Sequence, residues 1–456
     1  MITLNLNEIV HPLGATLKGN DVRFSGCSHD TRQPMAGTLY VALRGERFDG
    51  HDFISQAQQQ GAVALLVDRA VTSDLPCLEV ADTRKALGDL AHFWRQRFSL
   101  PLIAITGSNG KTTVKELLRC ILSETTIDSK LLVTRGNLNN DIGVPLTLFR
   151  LNAEHQWAVI EMGANHVGEI AYLSKMANPT VAVITQCAPA HLEGFKTVER
   201  VAQAKGEIFK GLKPHSTAII NNDDIYAPLW REMVLTYAPP TTKISYFALR
   251  SSAEVTTSEI QLTPTGSEFM LHTPLGETRV HLPLLGQHNI MNALAASACA
   301  LASGCSLEVI QRGLQNVQPV KGRLQCCAGL NGALLIDDTY NANPTSLNAA
   351  LAVLNKYSTT RWLVLGNMYE LGTQSEVLHK QAGQSALHSG VERLWTLGDL
   401  AYYATEGFGV GASHFSEHET LIATLKTELA TQQGVTILIK GSRSMQMEKI
   451  VKALCS

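Results

Sequence analysis

Apolar positions fall into short continuous runs, separated by stretches with helical spacing, along most of the 456-residue chain. Leu102–Thr106, Trp157–Glu161, Val181–Thr185 and Thr217–Asn221 are largely aliphatic and do not alternate with polar residues. That is the pattern of strands covered on both faces of a parallel sheet. A glycine-containing turn follows the first run, and helical spacing then extends from about Thr112 to Leu122. Residues Val255–Leu282 differ: they alternate, with turn signals at Pro264–Gly266 and Pro274–Gly276, so an antiparallel ribbon is expected there. A helix at about Asn289–Ser303 closes this region. From about Pro319 the strand–helix alternation resumes, with apolar strands at Ala333–Ile336, Trp362–Leu365, Leu394–Leu397 and Thr436–Ile439. At the other end, Leu39–Leu43 and Ala62–Val67 read as short strands, and Arg84–Phe98 as a helix leading out of a small unit. The pattern predicts an α/β chain of three domains. These are a small α/β domain over 1–98, a mostly parallel sheet with an antiparallel ribbon over 99–316, and a Rossmann-like unit over 317–456.

Composition narrows the class. Hydrophobic residues make up 45% and charged residues 17%, which excludes a disordered chain or a coiled coil. A formal net charge of −2 argues against a nucleic-acid binder, although a local basic pocket is still allowed. The nine cysteines are scattered, odd in number and without Cys-x-x-Cys spacing. Neither a zinc site nor a disulfide framework is expected, and a reducing compartment fits. The segment Met1–Val10 lacks the basic start and apolar core of a secretory signal. No apolar run reaches the roughly 18–20 residues needed to cross a bilayer. A cytoplasmic protein without membrane or nucleic-acid partners is expected.

The sharpest chemical signal is Thr106–Thr113, placed between a buried strand and a helix. Backbone N–H groups of Gly107, Ser108, Asn109 and Gly110 at a helix start suit a polyphosphate. Lys111 can reach its outer oxygens, the Thr112 hydroxyl can bind Mg²⁺, and Thr113 completes the loop. Ile105 stands where the longer Walker pattern has its first glycine, so the loop has the form G-x-x-G-K-T. Glu161 ends a parallel strand, where ligands of open α/β sheets collect, and could hold the same Mg²⁺. His191 follows another strand; Lys205 has no distinguishing local signal. Asp337 and Asp338 end a strand of the third domain and precede Thr339–Pro344. That run suits ribose hydroxyls, a metal or an ammonium group, or else a helix cap and turn. Arg323 and the run Lys440–Arg443 add cations near strand ends. In the first domain, Ser28–Arg32 and Phe48–Asp52 are polar clusters that suit a nucleotide diphosphate or an ordinary loop.

In this order the motifs resemble the Mur ligase family of cell-wall precursor synthesis, over essentially the whole chain. The family-wide marks are Thr106–Thr113, Glu161, His191, Lys205, Gly286–Asn292 and Gly322–Arg323. Gly136–Gly143, Glu161–His166, Ala190–Phe195, Asp337–Pro344 and Lys440–Arg443 resemble the branch that joins D-alanyl-D-alanine to UDP-N-acetylmuramoyl-tripeptide. The resemblance implies a UDP-sugar domain, a central ATPase domain, and a C-terminal domain that completes the ATP site and binds the amine. It implies that Lys111 and Gly107–Thr113 hold the β/γ-phosphates, and that Thr112 and Glu161 hold a first Mg²⁺. His191 and Lys205 serve a second, with Lys205 as a carbamate. Asn289 and Asn292 lie by the adenine, Arg323 by the phosphates and Asp338 by the ribose. Ser28, Asp30 and Arg32 belong to the uridine diphosphate, Asn137 and Asn140 to the substrate near its reacting carboxylate, and Asn341 and Asn343 to the dipeptide. One departure shows: the family pattern leads us to expect an aspartate within Leu365–Met368, where this chain has Asn367. If that position met the dipeptide ammonium, a charge would be missing.

The implied reaction is amide formation through an acyl phosphate, by a monomer that closes over its substrates. Three rivals are a sister ligase adding one amino acid or a folate glutamate, an ATP-binding switch, and a UDP-sugar scaffold.

Overall fold

The computed structural model describes residues 1–456 and contains three main sheets. The first has five short strands in the order Thr16–Lys18, Cys77–Glu79, Ala64–Val67, Leu39–Val41 and Cys27–Ser28. Its neighbours are parallel except for the antiparallel outer pair formed by Thr16–Lys18 and Cys77–Glu79. A two-stranded ribbon, Thr3–Asn5 with Arg23–Ser25, lies beside it. The expected helix runs from Thr83 to Arg95, opened by Asp82, whose side chain accepts from the N–H groups of Arg84 and Lys85. That cap explains the start, since Asp satisfies two of the otherwise unpaired first-turn donors.

The central sheet is parallel throughout, in the order Lys243–Phe247, Thr217–Asn221, Val181–Ile184, Leu102–Thr106, Trp157–Glu161 and Leu131–Val133. After Leu102–Thr106 the chain first builds to one side and then crosses to the other. The carboxyl end of that strand is therefore a topological switch point, where a crevice opens. The expected ribbon is present as three antiparallel strands, Thr256–Thr263, Gly266–Thr273 and Gly276–Leu282. The helix Gln287–Ala302 packs behind the central sheet.

The third sheet runs Gln325–Ala328, Leu334–Asp338, Val435–Lys440, Thr360–Gly366, Arg393–Leu397 and Ala412–Phe415. It is parallel apart from its first, antiparallel edge. The strands that the pattern did not announce are short or lie at sheet edges, among them Leu131–Val133, Lys243–Phe247, Gln325–Ala328 and Ala412–Phe415. Lys243–Phe247 and Ala412–Phe415 carry polar residues and lack a continuous apolar run, whereas Leu131–Val133 is apolar but only three residues long. All nine cysteines are unpaired, and no helix is long and apolar enough to cross a membrane.

The two seams between these bodies differ in kind. One hydrophobic core runs without a break from Ile2, Leu4 and Leu90 of the first body to Leu148, Ile160 and Ile184 of the second. The buried core of the third body includes only Leu285 from the rest of the chain. The first seam is further tied by Arg95, which is fully buried. Its guanidinium donates to the carbonyls of Phe98 (2.6 Å), Ala177 (3.0 Å) and Leu100 (3.2 Å). Without a carboxylate beside it, burial pushes its pKa down to about 10. Replacing Arg95 by Leu would keep much of the bulk and strand three buried carbonyls. A loss of about 2–4 kcal/mol is expected, read as a lower midpoint in thermal or urea unfolding; an unchanged midpoint would show that water replaces the guanidinium.

Candidate active site

The phosphate-type loop lies at the switch point, between the strand Leu102–Thr106 and the helix Lys111–Ser123. Two of its glycines are sterically required. Gly107 and Gly110 have φ of 149° and 85°. A Cβ on Gly107 would lie 1.9 Å from Thr185 Oγ1, and one on Gly110 2.3 Å from Asn292 Oδ1. Only glycine permits that conformation and that approach. Ser108 Oγ donates to the Ala188 carbonyl (3.0 Å), and Thr185 Oγ1 donates to the Asn109 carbonyl (2.6 Å). Lys111 Nζ donates back to the Gly107 carbonyl at 2.6 Å. Desolvation lowers the Lys111 pKa; Glu161 works against this fall and Arg323 adds to it. Thr113 is buried beneath the loop.

Thr112 joins three parts of the chain. Its Oγ1 donates to Glu161 Oε2 (2.9 Å) and accepts from Arg323 Nη2 (2.9 Å). The other carboxylate oxygen of Glu161 accepts from Asn139 Nδ2 at 2.8 Å. The Arg323 guanidinium also stacks over Tyr340, 4.4 Å from its centroid. Around these groups lies one cleft of about 1190 Å³.

The cleft gathers most of the residues singled out in the sequence. Ser108, Asn109, Gly110, Lys111, Thr112, Asn137, Asn140, Glu161, His191, Lys205, Asn289, Asn292, Arg323, Asp338, Asn341 and Asn343 all line it. Asn289 and Asn292 sit one helical turn apart, and Asn292 Nδ2 donates to Asn289 Oδ1 (3.0 Å). Asp338 is paired with the buried Lys440 at 2.5 Å. Asp337 instead accepts from the Thr339 hydroxyl (2.6 Å) and backbone N–H, a turn role. Asn140 Oδ1 accepts from the Gly143 N–H (2.8 Å), just ahead of the helix Gly143–Leu148. Asn343 caps the helix Pro344–Leu354 through Ser346 N (2.9 Å) and donates to Asn109 Oδ1 (2.8 Å). Its side chain thus bridges the third body to the phosphate-type loop.

His191 adopts φ 54° and brings Nδ1 to 2.6 Å from Glu370 Oε2. Lys205, on the helix Val198–Gly206, is 1% exposed. Its ammonium lies over the Phe195 ring, 5.7 Å from the centroid. Burial, with Lys111 nearby, pushes its pKa down to about 7. Thr112 and Glu161 offer hard oxygens, and His191 lines the cleft with its Nδ1 turned to Glu370, which leaves the other ring nitrogen as the available donor. No group of three His, Cys, Asp or Glu side chains forms a complete shell. That fits an ion that takes most of its ligands from phosphate and water.

Ser28, Asp30 and Arg32 do not line this cleft. They form a local unit in the first body, with Arg32 Nε donating to Asp30 at 2.7 Å and holding that carboxyl down to about 2. Of the Phe48–Asp52 cluster only His51 is buried, set between Asp49 (2.6 Å) and Asp68 (3.3 Å), and Phe48 is exposed. Among the cleft residues given no role in the sequence reading, four make charged or polar contacts there. Asn139 lies inside a quoted motif and was legible there. Arg84 and Asp141 form an ion pair across the first seam. Glu370 follows the Leu365–Met368 run and carries no local signal.

Asn367 is 1% exposed and does not line the cleft. It donates to Asp399 Oδ1 (2.6 Å) and to the Tyr369 hydroxyl (2.9 Å), and accepts from Ala401 N (2.8 Å). The side chain therefore does not face the cleft, against the expectation that it would meet an ammonium there. It is a buried amide beside a carboxylate, where an aspartate would place two anions in contact.

Three family models match the chain: "Mur ligase family, catalytic domain" over residues 23–95, "Mur ligase middle domain" over 105–300, and "Mur ligase, glutamate ligase domain" over 322–443. The chain belongs to the Mur ligase family. It is 45% identical over 455 residues to the Escherichia coli UDP-N-acetylmuramoyl-tripeptide--D-alanyl-D-alanine ligase, covering 100% of this chain and 99% of that protein. It is 34% identical to the Bacillus subtilis protein of the same name, covering 99% and 97%. Among solved structures, MurF from Acinetobacter baumannii superposes with a TM-score of 0.93 at 37% identity, covering 99% of this chain and 98% of that one.

Asn367→Asp should cost about 1–3 kcal/mol, because a buried carboxylate would replace the amide that donates to the exposed Asp399 carboxylate and would face that anion instead. The new carboxyl's folded pKa would be raised, so the loss is full above that raised pKa, shrinks as pH falls through it, and is gone below the ordinary aspartate range. Thermal unfolding at two pH values checks this, and Asp399→Asn added to the variant should recover most of the loss.

Proposed function

We infer that this chain is an ATP-dependent amide ligase that joins D-alanyl-D-alanine to UDP-N-acetylmuramoyl-tripeptide, giving the UDP-linked pentapeptide, ADP and phosphate. The observation that carries the reading is the convergence of the loop, Glu161 and Arg323 on the Thr112 hydroxyl. It places phosphate donors, a metal-type carboxylate and a cation from the third body around one point. The full-length likeness to ligases of that name supports the substrate pair.

A carboxylate and an ammonium do not condense in water unaided. Transfer of the γ-phosphoryl group to the tripeptide carboxylate breaks the β–γ phosphoanhydride and makes an acyl phosphate. The free amine then attacks the acyl carbon, the amide C–N bond forms, and the acyl C–O bond to phosphate breaks. The protein supplies position and charge. Loop N–H groups and Lys111 hold the β/γ-phosphates, and Arg323 adds a second cation. Asn289 and Asn292 take the adenine side and Asp338 the ribose. Ser28, Asp30 and Arg32 take the uridine diphosphate, Asn137 and Asn140 the end bearing the carboxylate, and Asn341 and Asn343 the dipeptide side. Residues 1–98, 99–316 and 317–456 divide these tasks, and the chain acts as a monomer. Mg²⁺ held by Thr112 and Glu161, and a second ion by His191 and Lys205, would offset negative charge on the phosphates. A buried lysine with its pKa near neutrality keeps a neutral, nucleophilic fraction. Carbamylation by CO₂ would turn it into the anion that a metal site needs.

The first test is phosphate release with ATP, Mg²⁺ and UDP-N-acetylmuramoyl-tripeptide, with D-Ala-D-Ala, with D-Ala, or with no amine. Dipeptide-dependent release with a pentapeptide product by mass is expected. Release with the single amino acid alone would move the chain to a sister activity, and amine-independent behaviour would favour an ATP-binding switch. A second test equilibrates the protein with ¹³CO₂. One carbamate ¹³C resonance should appear and be missing in Lys205→Ala, whose turnover should fall by about 100-fold or more. A spectrum without that resonance would remove the carbamate from the reading.

A further inference from the structure

The loop between the strand Thr360–Gly366 and the helix Ser375–His388 crosses the polar seam and meets the chain just after His191. The Glu193 N–H donates to the Glu370 carbonyl at 3.3 Å. A Cβ on Gly372 would lie 3.6 Å from Glu193 N. Glu370 Oε2 stands 2.6 Å from His191 Nδ1. Both residues hold positive φ, 64° and 54°, although neither is glycine. Such a conformation costs energy in each and persists only where surrounding contacts demand it. His191 Nδ1 is buried and has no well-aligned partner, so the carboxylate is the only strong acceptor within its reach.

An imidazole can offer one nitrogen to a cleft only if the other keeps the proton. A carboxylate beside Nδ1 places the proton there and leaves the Nε2 lone pair free. Partners of this kind set the ring's tautomer and orientation in metal sites. Here the partner comes from the third body, while His191 belongs to the second.

We propose that Glu370 is a positioning residue: it orients His191 across the seam, so the metal-binding form of the ring is assembled only when the C-terminal body is docked. This rests on the reading of His191 as a metal-holding residue. Glu370 needs no contact with substrate for this task, and its effect passes through the ring.

The test uses the full chain labelled with ¹⁵N-histidine, with His191 assigned from the resonance lost in His191→Ala. The wild type should hold His191 in the Nδ1-protonated tautomer without any metal, and Glu370→Gln should give a mixture of tautomers. Mn²⁺ binding, followed by electron paramagnetic resonance with a non-hydrolysable ATP analogue, should weaken by about 10–100-fold in Glu370→Gln. The KM for the UDP substrate should stay unchanged, and Glu370→Asp should recover part of the Mn²⁺ affinity. Glu370→Gln with wild-type tautomer and Mn²⁺ affinity, while His191→Ala binds Mn²⁺ weakly, would overturn the proposal alone. Loss of binding in Glu370→Gln as complete as in His191→Ala would make Glu370 a direct ligand and also overturn it. Wild-type Mn²⁺ binding by His191→Ala would instead remove the metal reading of His191. Melting curves of each variant separate these results from misfolding.

Discussion

The hydroxyl of Thr112 is the constraint on which the cleft depends. A hydroxyl has one proton to give, and here it goes to Glu161, 49 residues away, while a lone pair accepts from Arg323, 211 residues away. The first bond fixes the strand-end carboxylate against the helix start. The second draws the third body onto the same atom. Asn139 takes the other carboxylate oxygen, so the orientation of Glu161 is set from two sides. Each bond is modest alone, but charged partners in a sheltered site make it stronger than a bond between neutral groups. The glycines before Thr112 serve the same end, since they let Asn292 and Thr185 approach the loop without a side chain between them.

Much of this was legible in the residues. The buried parallel strands declare themselves as apolar runs, and the loop declares itself by its place between strand and helix. The ribbon was readable because Val255–Leu282 alternates and has turn residues at two points. What escaped is of two kinds. Edge strands such as Lys243–Phe247 and Ala412–Phe415 bury too little of themselves to leave a pattern. Contacts across a seam, such as Glu370 with His191, depend on how distant bodies dock, and no local spacing encodes that. Asn367 shows the opposite limit: its departure from the family pattern was visible at once, but its consequence was not. Only the fold places Asp399 beside it and turns a missing charge into a hydrogen bond.

The two seams set different mechanical terms for the three bodies. The first and second bodies share one apolar core and the Arg95 clamp, so separating them would expose hydrocarbon and strand buried hydrogen-bonding groups. The third body meets them through Arg323, Asn343 and Glu370, with Leu285 as the buried apolar link. Groups of that kind are satisfied by water when they separate, whereas hydrocarbon is not.

The same polar seam bears on the protein's life between turnovers. A chain that opened to admit three substrates would leave that face uncovered while it waited. Because the face is built mostly of amides, carboxylates and guanidinium groups, with Leu285 as its apolar link, an open molecule would present little that is adhesive to its neighbours. Crowding such molecules together should not make them clump, and the waiting state is as colloidally quiet as the closed one.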